Sequence, residues 1–334
     1  MKSEFFGFTK SKEPIHRYTI SGGGLNAKFI NWGAVLQDLC FEKDSRSMVL
    51  GLNSMEDYLL HSRYFGATAG PYANRINQGR FKLKNKEIQL QTNFQNQHHL
   101  HGGTEGIGKS IWKMESMGSN SIKLSIIHPD GHMGYPGPIK INAQFRLMDP
   151  CILDILYSAS SEQPTIINLA HHSYFNLSGE KTVLDHELKV HASTFLEVDS
   201  GLIPRGNPQP VEKGDCDFRE FRTIQSDSFT RSQLDHNFCL SLKPQELRPM
   251  AWLKSKGVRM QINTTEPGLQ VYDGHGLDVP VSGLDGKFMG PYAGVALEPQ
   301  LWPDSPNRKD FASPILNPDQ VYSQHTQYVF SKRD

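Results

Sequence analysis

Side chains that could move a proton stand in two stretches of this chain. Residues 166–177 carry adjacent histidines, His171 and His172, between aliphatic and aromatic neighbours. Successive side chains of a strand point to opposite faces. Read as one strand, the stretch puts Ile167, Leu169, His171, Ser173, Phe175 and Leu177 on a mostly apolar face, which belongs to a core. Asn168, Ala170, His172, Tyr174 and Asn176 fall on the other, polar and aromatic around one small residue, as in the wall of a cleft. Of the two histidines, only His172 faces the cleft. The second stretch is residues 292–307. Ala293, Val295 and Leu297 face one way, and Gly294, Ala296, Glu298 and Gln300 the other. Two small residues before an acid leave open space with a carboxylate at its edge. The stretch then enters a proline-rich loop with Trp302 and Asp304. A carboxylate and an imidazole in one cleft are the usual means of general acid–base chemistry. The plainer alternatives are an ordinary sheet histidine and a surface glutamate at a strand end.

Other polar groups could hold a ligand. His99 and His101 are two apart, so a strand would aim both one way, and that spacing also suits metal ligands, with His172 as a third. No further Cys or His spacing supports a metal, and none is expected. His101 before Gly102 and Gly103 could instead donate to a bound molecule at a sharp turn. Arg75, among short polar residues that include Asn74, offers several donors to ligand oxygens or joins a structural ion pair. Asp235, beside His236 and Asn237, could accept from two neighbouring hydroxyls or cap a turn. Gln270 and Tyr272 share a polar, aromatic face opposite Leu269 and Val271. GxGxxG, P-loop and GxSxG patterns are absent, and with them the usual dinucleotide, nucleotide and serine-hydrolase signatures. The mix of Arg, His, Asp, Gln, Glu, Tyr and Trp suits a neutral polyol.

The elements that must position these groups read as strands. Phe81 and Leu83 alternate with Lys82 and Lys84, turn at Asn85 and Lys86, and continue as Ile88 and Leu90: a hairpin. Ile122, Leu124 and Ile126 share a face, as do Leu188, Val190 and Ala192, and Val258, Met260 and Ile262. Residues 327–330 can be a last strand. One short helix is expected from Ser54 to Leu59, with Ser54 as N-cap before Glu56 and Asp57. Short strands with frequent turns predict an all-β chain, a large antiparallel β-sandwich with very little helix. No composition break marks a linker, so a single domain over 1–334 is expected. Lys plus Arg equals Asp plus Glu, 35 each. No basic excess points to nucleic acid or an anionic membrane. The start lacks a signal-peptide run, no window is long and apolar enough to span a membrane, and the four cysteines are scattered. The expectation is a cytoplasmic protein with reduced thiols.

Together the stretches resemble the galactose mutarotase (aldose 1-epimerase) family. The matching pieces are Tyr72-Ala73-Asn74-Arg75-Ile76, Leu100-His101-Gly102-Gly103, Pro129-Asp130-Gly131 with Gly134-Tyr135-Pro136-Gly137, and Asn168-Leu169 with residues 172–177. Asp235-His236-Asn237-Phe238, Pro267-Gly268-Leu269-Gln270, and Leu297-Glu298-Pro299-Gln300 with Trp302, Pro303, Asp304 and Asn307 complete the set. The resemblance implies a mutarotase-like supersandwich with the sugar in an open cleft. It implies Glu298 as general base and His172 as general acid. Arg75, His101, Asp235 and Gln270 match the family's sugar-binding positions, and Asn74 and Tyr174 join them as candidates. Pro71, Gly108 and His171 depart from the common pattern, and the first two bear on the cleft rim.

The activity so implied is exchange of the α and β anomers of a free aldohexose such as galactose or glucose. Ring opening takes a proton from the C1 hydroxyl and gives one to the ring oxygen. A carboxylate and an imidazolium on opposite sides of the sugar would serve, with His172 charged if a carboxylate lies near it. No cofactor is needed, because nothing is oxidised and no group is transferred. Nucleic acid and membrane are not expected partners, and a monomer or weak homodimer is expected. The alternatives are a glycosidase using Glu298 and Asp235, a non-catalytic sugar-binding protein, and a mutarotase for a pentose or a phosphorylated sugar. The last would want a basic cluster, and only Arg75 and Arg80 stand near the motifs.

Overall fold

The computed structural model describes residues 2–212, 214–225 and 233–332. Alternating apolar residues build antiparallel strands almost throughout. A nine-stranded sheet runs in the order Lys113–Met117, Ser121–His128, Ile139–Met148, Ile152–Ser161, Tyr322–Lys332, Val258–Thr264, Arg248–Ser255, Glu187–Val190 and Arg222–Thr223. A six-stranded sheet runs in the order Tyr174–Phe175, Val295–Gln300, Gly268–Tyr272, Asp235–Cys239, Thr194–Phe195 and Gln209–Pro210. The N-terminal strands Lys2–Phe8, Pro14–Gly22, Leu25–Ile30 and Val35–Phe41 form a third sheet. The expected β-sandwich is present. The expected last strand is present and longer, Tyr322–Lys332, because it lies between two long strands and pairs with both.

The main core joins the sheets. Ile141, Phe145, Leu153 and Ile155 of the nine-stranded sheet share one apolar cluster with Phe29 and Leu39 of the N-terminal sheet. Phe175, Phe238, Leu269, Val271, Val295 and Leu297 bring one face of the six-stranded sheet into the same cluster. Its other face is thereby left for the polar residues. A second cluster, with Trp32, Tyr58, Phe65, Tyr174 and Ala296, closes one end of that face. The hairpin forms as expected, Arg80–Leu83 against Lys86–Gln89. The helix is Met55–His61, with Ser54 Oγ accepting from the Asp57 N–H. No helix among the described residues is long and apolar enough to cross a membrane.

Residues 166–177 are not one strand. Thr165–Ile166 pairs with Ile315–Leu316, Ala170–His172 with Ala67–Ala69, and Tyr174–Phe175 with Val295–Gln300. The chain steps across three sheets. Asn168 makes the first step by using its side chain where a strand would use a ladder: its Nδ2 donates to Ala73 O and its Oδ1 accepts from Leu301 N–H. Alternation nevertheless survives in phase. Leu169, Phe175 and Leu177 enter the core, and His171 packs against Phe145 and Tyr328. Asn168 and Asn176 stay out of the cleft that His172 lines, and both are spent on backbone groups.

Candidate active site

Register places one half of the site. Asn237, Gln270 and Glu298 stand directly opposite one another across three neighbouring strands. Asp235, Tyr272, Ala296 and Tyr174 form the next row across four strands. Directly opposed residues project to the same side of a sheet. The face away from the core therefore carries Asp235, Gln270, Glu298, Tyr174 and Tyr272 together. The space expected above Gly294 and Ala296 is filled. A side chain at Gly294 would meet Leu50 and Tyr174 at 2.9 Å, and Ala296 packs in the second cluster.

The other half comes from short elements. Ala170–His172 pairs with Ala67–Ala69, and Arg75–Ile76 pairs with His99–Leu100. The latter strand ends before His101, whose φ of 49° is followed by 86° at Gly102 and 94° at Gly103. That sharp turn separates the two histidines the spacing had aligned. His99 is buried away from the cleft, between Gln91 O and the Tyr135 hydroxyl, each at 2.6 Å. His101 turns into the cleft, and its Nδ1 accepts from the Asn74 N–H at 3.1 Å. The bond leaves Nε2 as the protonated nitrogen of a neutral ring.

The cleft, about 500 Å³, gathers all eight sequence candidates: Glu298, His172, Arg75, His101, Asp235, Gln270, Asn74 and Tyr174. His172 Nε2 lies 3.6 Å from Glu298 Oε1. The two are 5 % and 2 % exposed. They are side by side, and the expected arrangement on opposite sides of a sugar ring does not hold. Asp235 is held from both sides: Gln270 Nε2 donates to its Oδ1 at 2.6 Å, and Arg75 Nη2 to its Oδ2 at 3.2 Å. Asn74 Oδ1 accepts from the Arg75 backbone N–H at 2.8 Å, so Asn74 fixes both Arg75 and His101. Arg75 Nε, His172 Nδ1, Gln270 Oε1 and Glu298 Oε2 are buried without a hydrogen-bond partner. These four atoms are available to hydrogen-bond a polar ligand in the cleft.

Burial governs the electrostatics. It pushes the Glu298 carboxyl up to about 8, with the negative Asp235 adding to the effect and Arg75 opposing it. It pushes His172 down to about 4, against the raising effect of the negative Asp235. His101 is held well below its ordinary value by burial and by neighbouring cations. The expected charged His172 is therefore not the form that burial favours. A carboxylate does lie beside it, but desolvation disfavours both charges.

His101, His172 and Glu298 place ligand atoms within 4.8 Å of one another. A cation there would need His101 Nε2 as a bare nitrogen, which breaks its bond to Asn74. The set fits a ligand that accepts from His101 better than it fits a metal.

Several cleft residues escaped the sequence reading. Tyr64, with φ of 64°, stacks on His172 and leans on His101. Phe94 lies under the Arg75 guanidinium at 4.5 Å. Neither sits in a strand, so no periodicity reports it; a lone aromatic in the polar run Gln91–Gln97 was the available signal for Phe94. Arg63 and Lys109 stand at the mouth, Lys109 5.0 Å from the Tyr64 ring. Gly108 acts on the rim through the same ring: a side chain there would meet it at 3.3 Å.

Comparisons with known proteins bear on the family and the fold. Residues 16–329 match the model of the family described as Aldose 1-epimerase. The chain is 35 % identical over 325 residues to a galactose mutarotase of Homo sapiens, covering 95 % of this chain and 94 % of that one. It is 32 % identical over 336 residues to an aldose 1-epimerase of Escherichia coli K12, covering 95 % and 96 %. Among solved structures it resembles an aldose epimerase homologue from C. elegans, with a TM-score of 0.88, 27 % identity and full coverage of both chains. A galactose 1-epimerase from Lactobacillus acidophilus NCFM follows at 0.85 and 28 %, again with full coverage of both.

Proposed function

The chain belongs to the aldose 1-epimerase family, and on that premise we propose that Glu298 is the general base and His172 the general acid in the anomerisation of free aldohexoses such as galactose and glucose. The protein is an isomerase of aldose anomers. The observation that carries the assignment is the buried His172–Glu298 pair, 3.6 Å apart, at a cleft whose remaining polar groups are cross-linked and donor-rich. O1 and O5 of the cyclic sugar are bonded to the same carbon. Two groups side by side can therefore face both oxygens at once.

Ring opening uses the form with Glu298 ionised and His172 protonated. That form carries the same single proton as the neutral pair that burial favours, and arises from it by transfer of that proton from Glu298 to His172. Glu298 takes the C1 hydroxyl proton, the C1–O5 bond breaks, and His172 gives its proton to O5. The products are the open aldehyde, a neutral carboxylic acid and a neutral imidazole. That neutral pair is the one burial favours. Rotation about C1–C2 presents the other aldehyde face. Closure then runs backward, with His172 as base and Glu298 as acid. The pair gains and loses no net proton. Asp235, Arg75, Gln270 and the Nε2–H of His101 hold the remaining hydroxyls while C1 turns, with Asn74 and Tyr174 shaping the wall. We read the chain as one domain spanning 1–334, a monomer or weak homodimer of the cytoplasm.

Polarimetry on freshly dissolved α-D-galactose and α-D-glucose tests the proposal. Wild type should raise the rate well above the spontaneous one. Glu298→Gln and His172→Asn should each lose about a hundredfold or more in kcat, as positioned acid–base groups do, with near-UV circular dichroism unchanged. Either variant at near-full rate would sink the role given to that residue.

A further inference from the structure

A second concavity, about 670 Å³, shares no lining residue with the sugar cleft. Two segments face each other across it. On one side, alternation in Arg80–Leu83 buries Phe81 and Leu83 and turns Arg80 and Lys82 outward, and Lys84 follows at the turn with φ of 55°. On the other, Arg308 and Lys309 follow the turn at Ser305–Asn307. Five cations thus line one cavity in a chain of zero net charge, with Glu87 as the acidic residue of its lining. Arg80 is paired with Glu87 at 3.4 Å and Arg308 with Asp310 at 2.7 Å. Lys82, Lys84 and Lys309 enter no ion pair among the described residues. Glu87 stands opposite Lys82 across the hairpin, so the cations outnumber the acidic residue of the lining, and an anion between them relieves the remaining repulsion. The rest of the lining is mixed: polar side chains such as Asn77 and Ser313, and an apolar wall of Phe311, buried beneath the Arg308 guanidinium at 4.1 Å, with Pro314 and Ile315.

We infer that this cavity binds a phosphorylated small molecule, its phosphate held by Lys82, Lys84 and Lys309 and its organic part against Phe311 and Ile315. The size is that of small-ligand sites. Ammonium groups act on phosphate as point charges, so three of them on flexible stems suit a terminal phosphate in several orientations.

Isothermal titration with inorganic pyrophosphate and with a nucleoside diphosphate, at 0.15 M salt and with wild-type protein, tests the inference. Binding with Kd below about 1 mM is expected. The triple variant Lys82→Glu, Lys84→Glu, Lys309→Glu should weaken it at least tenfold while galactose anomerisation stays at the wild-type rate; all three positions are exposed, so the fold should survive. A tighter nucleoside diphosphate assigns an organic phosphate, and equal affinities assign recognition to the phosphate; both support the site. Absence of binding by either probe, retention of binding in the triple variant, or displacement by saturating galactose would overturn it. So would binding of an acidic peptide but of neither probe, which would indicate a protein partner.

Discussion

Glu298 and His172 hold one proton between them over a wide pH range. Burial keeps His172 near about 4 and Glu298 near about 8, so from one limit to the other the pair has one group to give a proton and one to take it. Below about 4 a second proton arrives and no base remains. Above about 8 the first leaves and no acid remains. The kcat/KM for galactose, corrected for the spontaneous rate, should therefore be flat between those limits and fall about tenfold per pH unit outside them. An acid limb near the ordinary imidazole value would show that burial does not set it. Asp235 makes a different prediction. Its two oxygens take Gln270 and Arg75, and Arg75 is itself buried. Asp235→Asn leaves the buried Arg75 guanidinium without its counter-charge, which destabilises the fold. KM for galactose should rise at least about tenfold and the melting temperature should fall, while both pH limits move down, because the Asp235 charge raises the Glu298 and His172 values. A KM within twofold of wild type would remove Asp235 from sugar binding.

At the scale of elements, the turn after His99–Leu100 decides which histidine reaches the cleft. Gly102 has φ of 86°, and a side chain there would collide with the Gly70 carbonyl oxygen. Gly102→Ala combines left-handed backbone strain, about 1–3 kcal/mol, with a backbone clash that moves His101. Both a lower urea midpoint and a higher galactose KM are expected; unchanged values would mean the turn relaxes freely. This element also marks how far sequence could be read. Alternation separated His171 from His172 because both lie within one strand, Ala170–His172, where the period of two holds. It paired His99 with His101 wrongly because the strand stops between them. It placed Glu298 facing the cleft, but the open space above Gly294 was already taken by Tyr174 and Leu50, which come from other segments. The eight candidate residues sit on seven separate segments, and it was the family motifs that joined them. Tyr64 and Phe94 lie in irregular backbone, where side-chain direction follows from tertiary packing alone.

For the whole molecule, zero net charge removes a bulk electrostatic drift of stability near neutral pH, so a few buried groups decide it. His99, His128, His171, His172 and His186 are pushed by burial to about 3 or 4, below the ordinary 6.5. Between about 4 and 6.5 the unfolded chain binds their protons and the native chain does not, so stability rises with pH across that window. Glu266 and Glu298 behave in the opposite sense. Burial raises both to about 8 from 4.5, so the native chain keeps protons the unfolded chain has lost, and stability falls as pH climbs from 4.5 to about 8. Up to 6.5 the five histidines outweigh the two carboxyls. Above 6.5 the carboxyls act alone. Urea unfolding should therefore show maximum stability near 6.5 and an alkaline decline of up to about 1.4 kcal/mol per pH unit for each carboxyl. Glu266 lies outside the sugar cleft, with Oε2 unpaired and Thr265 Oγ1 donating to Oε1 at 3.3 Å. Glu266→Gln should accordingly halve the alkaline slope and leave anomerisation intact. Stability that rises from pH 6.5 to 8, or a variant that keeps the full slope, would show that Glu266 does not carry the buried proton assigned to it.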